Sequence, residues 1–390
     1  MKNLRTYYFL LPLFGLLACV KPYDFEVEQF DRLLVIDGAI TNNPGPHAIE
    51  ISYTYPLESR FSERVGEATV WVEDQNGQQT FFEEERLGIY LSPEDFQGEF
   101  RSTYQLYVEL NDGSQYVSKP ETLSPSPTID SVYARLEYSV NDFTQEREKG
   151  VQFFIDMSNE FQVHQYFRYE WEDAYKIVVP TPASFDVQLI DDQVTFIPLQ
   201  EDVGTCYLEN SSKELIFTST VGRAGDQVLD FPIHFVAEDK QEFRERYMIL
   251  VRQHAISESA YLFYKGLQEN NESGGSLFDQ QTGSIFGNIS SVDPDGDQVL
   301  GYFEASGVSE IRRFYDFKDL PEGITRAPFG YGCFNPSVNT SVDSALYYLN
   351  ITNGNVVQYD DSSGRVLIES SGCSDCSTYA NLEPPLNWEE

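Results

Sequence analysis

Two short stretches carry the spacing that site chemistry needs. In "CSDC", Cys373 and Cys376 stand two residues apart, as in a thiol redox pair or half of a zinc site. "DPDGDQVLGYFE", residues 293 to 304, puts Asp293, Asp295 and Asp297 at positions one, three and five, Leu300 at eight and Glu304 at twelve, as in an EF-hand calcium loop. Context argues against both. No second closely spaced ligand pair accompanies "CSDC", and His47, His164, His234 and His254 share no spacing. With Cys206 and Cys333, four cysteines besides Cys19 form an even set, which in an exported chain reads as disulfides with three pairings open. The acidic loop has Gln298 where an EF-hand needs Gly, and its flanks look like strands rather than helices. On a strand rising about 3.3 Å per residue, Glu304 would lie roughly 20 Å from Asp297 and could not close the site. A polar hairpin turn on Pro294-Asp295-Gly296 is expected, without tight calcium. A weaker site on Asp293, Asp295 and Asp297 alone is the disfavoured alternative.

Cys19 carries a different chemistry. Lys2 and Arg5 precede a run from Tyr7 to Ala18 that is apolar apart from Pro12 and Gly15 and too short to span a bilayer. "LLAC" resembles a bacterial lipobox, in which the cysteine thiol receives a diacylglyceryl group and becomes the new N-terminus. Residues 1–18 are thus expected to be a lipoprotein signal peptide and 19–26 a tether. Asp24, Glu26 and Glu28 resemble the acidic export signal of surface lipoproteins in Bacteroidota. The expected location is the outer membrane, lipid-anchored and facing the cell exterior.

Composition supports exposure to water. The formal charge is −37, and removing Lys2 and Arg5 takes it to −39. Nucleic acid and anionic lipid surfaces are repelled by such a chain, so membrane contact is expected through the N-terminal lipid only. The chain contains no Gly-x-Ser-x-Gly elbow, no His-Glu-x-x-His and no phosphate-binding glycine loop, and no cofactor is called for. A carboxylate pair could still do glycosidase chemistry, but among 63 acidic residues the sequence does not select two. "IDSV" and "VDSA" look like Asp-Ser-aliphatic O-glycosylation sites, making Ser131 and Ser344 weak candidates beside the plainer reading of two strand starts.

The positioning elements are mostly strands. "HAIEISYT" alternates Ile49, Ile51 and Tyr53 inward, and Asn76-Gly77 and Asp112-Gly113 sit between β-rich runs as hairpin turns. Residues 27–123 are expected to form an immunoglobulin- or transthyretin-like β-sandwich. The Pro- and Ser-rich stretch 118–132 reads as a linker. A second, larger β-sandwich-like domain, 124–390, is expected from the alternation of Val151, Phe153, Ile155 and Met157, of Phe167, Tyr169 and Trp171, and of Tyr247, Ile249 and Val251. Residues 176–230 read as an excursion from it. One inserted helix is expected near 258–270, capped by Ser257, with Ala260, Phe263, Tyr264 and Leu267 on its packed face, and the "CSDC" tail ends the domain.

Taken in order, "LLVIDGAIT", "GEATVWVEDQNG", "GIYLS", "SKPETL", "IDSV", "FRYEW", "GSLFD", "FGNIS", "VLGYFEAS", "CSDC" and "PPLNW" resemble a Bacteroidota family of outer-membrane lipoproteins, domain of unknown function 4249. Members are usually encoded beside TonB-dependent transporters, so the resemblance implies a non-enzymatic accessory, docking or substrate-capture role with such a transporter as partner. It brings no catalytic residues. A basic residue is expected after the second cysteine of the CxxC, where this chain has Ser377. A carboxylate-based surface hydrolase and a structural or adhesive module are the alternatives.

Overall fold

Period-two alternation in the first third of the chain gives eight strands: β1 (Leu34–Thr41), β2 (Ala48–Tyr53), β3 (Thr69–Asp74), β4 (Gln79–Arg86), β5 (Ile89–Leu91), β6 (Thr103–Glu109), β7 (Gln115–Ser118) and β8 (Glu121–Thr122). The computed structural model describes residues 32–389 apart from 56–62, 142–143, 160, 162–164, 192, 224–225, 273–284, 286, 332 and 334–336. The signal peptide, the tether with Cys19, His164 and "GSLFD" lie outside the described residues. Both expected hairpins are present, β3 with β4 and β6 with β7, and Gly77 and Gly113 supply the positive φ at their turns. β4 pairs with β3 through residues 79–82 and with β5 through 83–86, carrying the sheet from one layer to the next. Ile36, Ile49, Ile51, Val70, Val72, Leu106 and Val108 fill the space between.

Nine more strands follow: β9 (Ser131–Val140), β10 (Arg147–Ser158), β11 (Tyr166–Val178), β12 (Phe185–Ile190), β13 (Gln193–Pro198), β14 (Thr205–Ser211), β15 (Ile216–Ser219), β16 (Gln227–Ala237) and β17 (Arg246–Ile256). Then come α1 (Glu258–Glu272), β18 (Ile289–Ser291), β19 (Val299–Leu300), β20 (Phe303–Asp316), β21 (Val338–Ser341), α2 (Val342–Thr352), β22 (Gly354–Asp360), β23 (Arg365–Ser370) and α3 (Ser371–Ser374). A three-stranded sheet, β16-β10-β9, packs its Val151, Phe153, Ile155 and Met157 against Phe167, Tyr169, Trp171, Tyr247, Ile249 and Val251 of β11 and β17. The fold is mainly β, as the alternation predicts.

β20 joins the halves. Its residues 303–306 run parallel to β1, and its residues 307–316 run antiparallel to β17. β18 and β19 pair with β7 and β1, so late residues complete the N-terminal sheet. At the switch a Cβ on Gly307 would stand 2.2 Å from the Ser124 carbonyl oxygen, leaving room only for glycine. The expected linker is fastened here, because Gln253 Nε2 donates to the Pro127 carbonyl at 2.7 Å and Ser309 Oγ donates to it at 2.7 Å.

Residues 176–230 send the β12–β13 hairpin into a third sheet, β13-β12-β22-β23-β21, which packs on α2. Three helices, rather than the single one expected, occur among the described residues. "VDSALYYLNIT" hid its helix because Val, Tyr and Ile favour strands and its face is only partly covered, with Leu346, Tyr347 and Ile351 exposed. Ser344 therefore lies in a helix, not at a strand start, whereas Ser131 does begin β9. α1 forms as read, with the Ala260 N–H donating to Ser257 Oγ at 3.1 Å. No described helix is long and apolar enough to cross a membrane.

Candidate functional site

β11 presents two different faces. Extending the inward alternation of Phe167, Tyr169 and Trp171 by one step reaches Asp173, a carboxylate at a core position and only 2 % exposed. Buried charge of this kind needs partners, and Asp173 has three. Asn210 Nδ2 donates to its Oδ1 at 2.9 Å, Tyr247 Oη donates to its Oδ2 at 3.0 Å, and His234 Nε2 lies 3.3 Å from the same oxygen. Burial, then the neighbouring Asp173 charge, drives the Tyr247 hydroxyl well above its usual pKa, so Tyr247 stays a donor. His234 comes from β16 in the opposing sheet and stacks on Trp171 with ring centroids 3.6 Å apart. Beside this cluster opens a cavity of about 490 Å³. Its wall includes Glu209, Asn210, Lys213, Lys240 and Glu242. Burial and the nearby Asp173 raise the Glu242 pKa.

The other face carries a ladder of charges. Arg252 on β17 bridges Glu172 at 2.6 Å and Glu310 at 3.4 Å, and His254 Nε2 lies 3.4 Å from Glu170. Arg168 pairs with Glu170 and reaches Glu304 on β20 through Nε at 3.1 Å and Nη2 at 3.0 Å. Tyr264 of α1 donates to Glu304 at 2.8 Å and Ser306 does so at 2.7 Å. Burial works to raise the Glu304 pKa, but the Arg168 guanidinium, the nearby His254 and the Ser306 hydrogen bond outweigh it and hold it at about 2. Next to this ladder, buried Glu121 accepts from Tyr302 and from Asn288 Nδ2 at 3.2 Å, tying β8 to the start of β20. These partnered groups form a structural seam between the halves.

The cysteines settle into one of the three open pairings. Cys206 bonds Cys376 and Cys333 bonds Cys373, with Cα separations of 5.9 and 4.8 Å. The two "CSDC" sulfurs face different partners and are neither a mutual redox pair nor zinc ligands. Asp293, Asp295 and Asp297 lie in an exposed turn in which the Asp295 N–H donates to Asp293 Oδ1 at 3.0 Å and the Gly296 N–H to the Asp293 carbonyl. The turn is there, but it does not close a hairpin, because β18 and β19 on either side pair with different strands. Among the described residues no group of three His, Cys, Asp or Glu side chains is arranged to hold a metal ion. His47 is buried edge-on against Phe96, apart from both clusters.

Asp173, His234 and Glu242 escaped the reading of the sequence. For Asp173 the signal was there: an acid two residues beyond Trp171, on the inward register of a strand. His234 carries a weaker form of it, since it lies between Ile233 and Phe235 on β16 and only cross-sheet geometry brings it to Asp173.

No curated protein matches the chain. The model of a family described as a domain of unknown function, DUF4249, matches residues 20–312, most of the chain, and the protein belongs to that family.

Proposed function

We propose that this protein is a lipid-anchored accessory subunit on the outer face of the outer membrane, which docks on a TonB-dependent transporter and captures its substrate in the cavity beside Trp171. The observation that carries capture over catalysis is the state of Asp173. Both of its oxygens are taken by Asn210, Tyr247 and His234. A glycosidase pair needs one carboxyl to give a proton and a second whose free oxygen faces the sugar or the attacking water. Three hydrogen-bonding contacts hold the Asp173 carboxylate in one orientation, which suits it to fixing the walls of the cavity.

The test is affinity purification through a C-terminal tag on the mature chain in mild detergent. Recovery of a TonB-dependent transporter in near-stoichiometric amount supports docking. Its absence, with the tagged protein intact and in the membrane fraction, overturns it.

A further inference from the structure

The cavity beside Trp171 lies next to the point where β11 changes partner. Its residues 172–178 pair with β14 and its residues 166–169 with β15, leaving the edge open between them. The connecting turn is fixed across this gap, since the Trp171 N–H donates to Ser212 Oγ at 3.1 Å and the Ser212 N–H to the Trp171 carbonyl at 2.8 Å. That turn brings Lys213 to the cavity, and the turn after β16 brings Lys240 and Glu242 from the other side. With Glu209 and the already partnered Asp173, two cations and three anions line one cavity, and neither the two lysines nor Glu209 and Glu242 form a close ion pair with a described residue. A chain this acidic has ample carboxylates to pair its lysines, yet among the described residues neither of these two is in a close ion pair, although Lys240 is near enough to Glu242 to act on its charge.

A second observation points the same way. Trp171 is 8 % exposed, and its indole N–H has no hydrogen-bond partner among the described residues. An unpaired buried donor is costly unless something outside the fold completes it. The volume falls within the roughly 300–1,000 Å³ of small-molecule sites. One face of Trp171 is covered by His234, so the ring offers little platform for stacking a sugar. What remains is recognition of charge of both signs within a small space.

We infer that the cavity binds di- or tripeptides with free termini, the ligand's carboxylate meeting Lys213, Lys240 and the Trp171 N–H, and its ammonium meeting Glu209 and Glu242. This rests on reading the chain as a capture protein, and it names the class of what is captured.

The experiment incubates the detergent-solubilised mature protein with a mixed-sequence pool of di- and tripeptides and reads retained peptide by mass spectrometry after equilibrium dialysis. The same pool is offered N-acetylated, and again C-terminally amidated. The free pool should be retained and either block should weaken retention at least tenfold. Trp171→Phe should weaken the free pool severalfold, and the pair Lys213→Met with Lys240→Met should erase the difference between free and amidated peptides. Both lysines are exposed, so that variant keeps its fold, which circular dichroism checks. No retention of the free pool, equal retention of the blocked pools, or equal retention of a neutral oligosaccharide would each overturn the inference. If a transporter co-purifies but peptides are not retained, the ligand class falls and docking stands; if peptides are retained and no transporter is recovered, the site stands and docking falls.

Discussion

Arg168 on β11 grips Glu304 on β20 with two parallel hydrogen bonds of 3.1 and 3.0 Å, across 136 positions of sequence, and Glu304 is 1 % exposed. Removing one member of a buried ion pair strands the other, at a cost of about 3–5 kcal/mol. Glu304→Gln should therefore lower the denaturant midpoint strongly. The double variant Arg168→Met with Glu304→Leu should recover much of the loss, because Arg168→Met removes the charge that the loss of Glu304 strands. A double variant no more stable than the single one would show that the seam depends on more than this pair.

The same pair fixes a pH response. The folded pKa of Glu304, about 2, lies below the ordinary carboxylate value, so folding favours its ionised form. Its contribution is complete above the unfolded pKa of about 4.5 and is lost as pH falls through 2. Stability measured from pH 6 down to 2 should decline less steeply in Glu304→Gln than in the parent. Parallel curves would remove Glu304 from the acid response.

Tyr247→Phe tests the anchoring of Asp173. The change deletes one charge-assisted hydrogen bond in the core, an interaction worth about 1.5–3 kcal/mol, and leaves Asn210 and His234 in place. Asp173→Ala should cost more, since it leaves three donors without their acceptor. Equal losses would mean that Asn210 and His234 contribute nothing to holding the carboxylate.

The strands were legible wherever one face is buried. Ile49 and Ile51, or Phe153 and Ile155, announce their layers because a sheet with one covered face imposes period two. What the sequence did not disclose depends on contacts between distant residues. β20 reads as a single strand, yet it pairs with β1 over four residues and with β17 over the rest, which no local pattern records. α2 failed for a local reason, since its β-branched and aromatic residues outvote its period. The cavity was invisible for a third reason: Trp171, His234 and Lys213 sit on separate elements, brought together by the packing of one sheet on another and by the turn between β14 and β15.

Reduction should loosen the end of the chain. Cys206–Cys376 closes a separation of 170 residues and ties the C-terminal segment to β14. Loss of a native disulfide typically costs about 2–5 kcal/mol. Cys206→Ser with Cys376→Ser should lower the melting temperature and open the segment after Ser370 to protease, while Cys333–Cys373 still forms. Peptide mapping without reductant should find these two linkages and no Cys373–Cys376 bond.

Cys19→Ser tests the anchor. We propose that lipid on Cys19 alone holds the protein at the membrane, and charge makes this decidable. A body of formal charge near −39 is repelled by anionic lipid surfaces, so electrostatic adhesion does not compete as an explanation. Each buried CH₂ of an acyl chain contributes about 0.8 kcal/mol; one chain gives only marginal binding, whereas two or three hold stably. The parent should then stay with membranes through a wash in molar salt and leave only with detergent, and its N-terminal peptide should carry the added acyl mass. Cys19→Ser should appear in the soluble fraction with an unmodified N-terminal region. If Cys19→Ser stays membrane-bound in high salt, the anchor lies elsewhere in the chain; if the parent is itself soluble, the apolar leader is an ordinary signal peptide and Cys19 an incidental thiol.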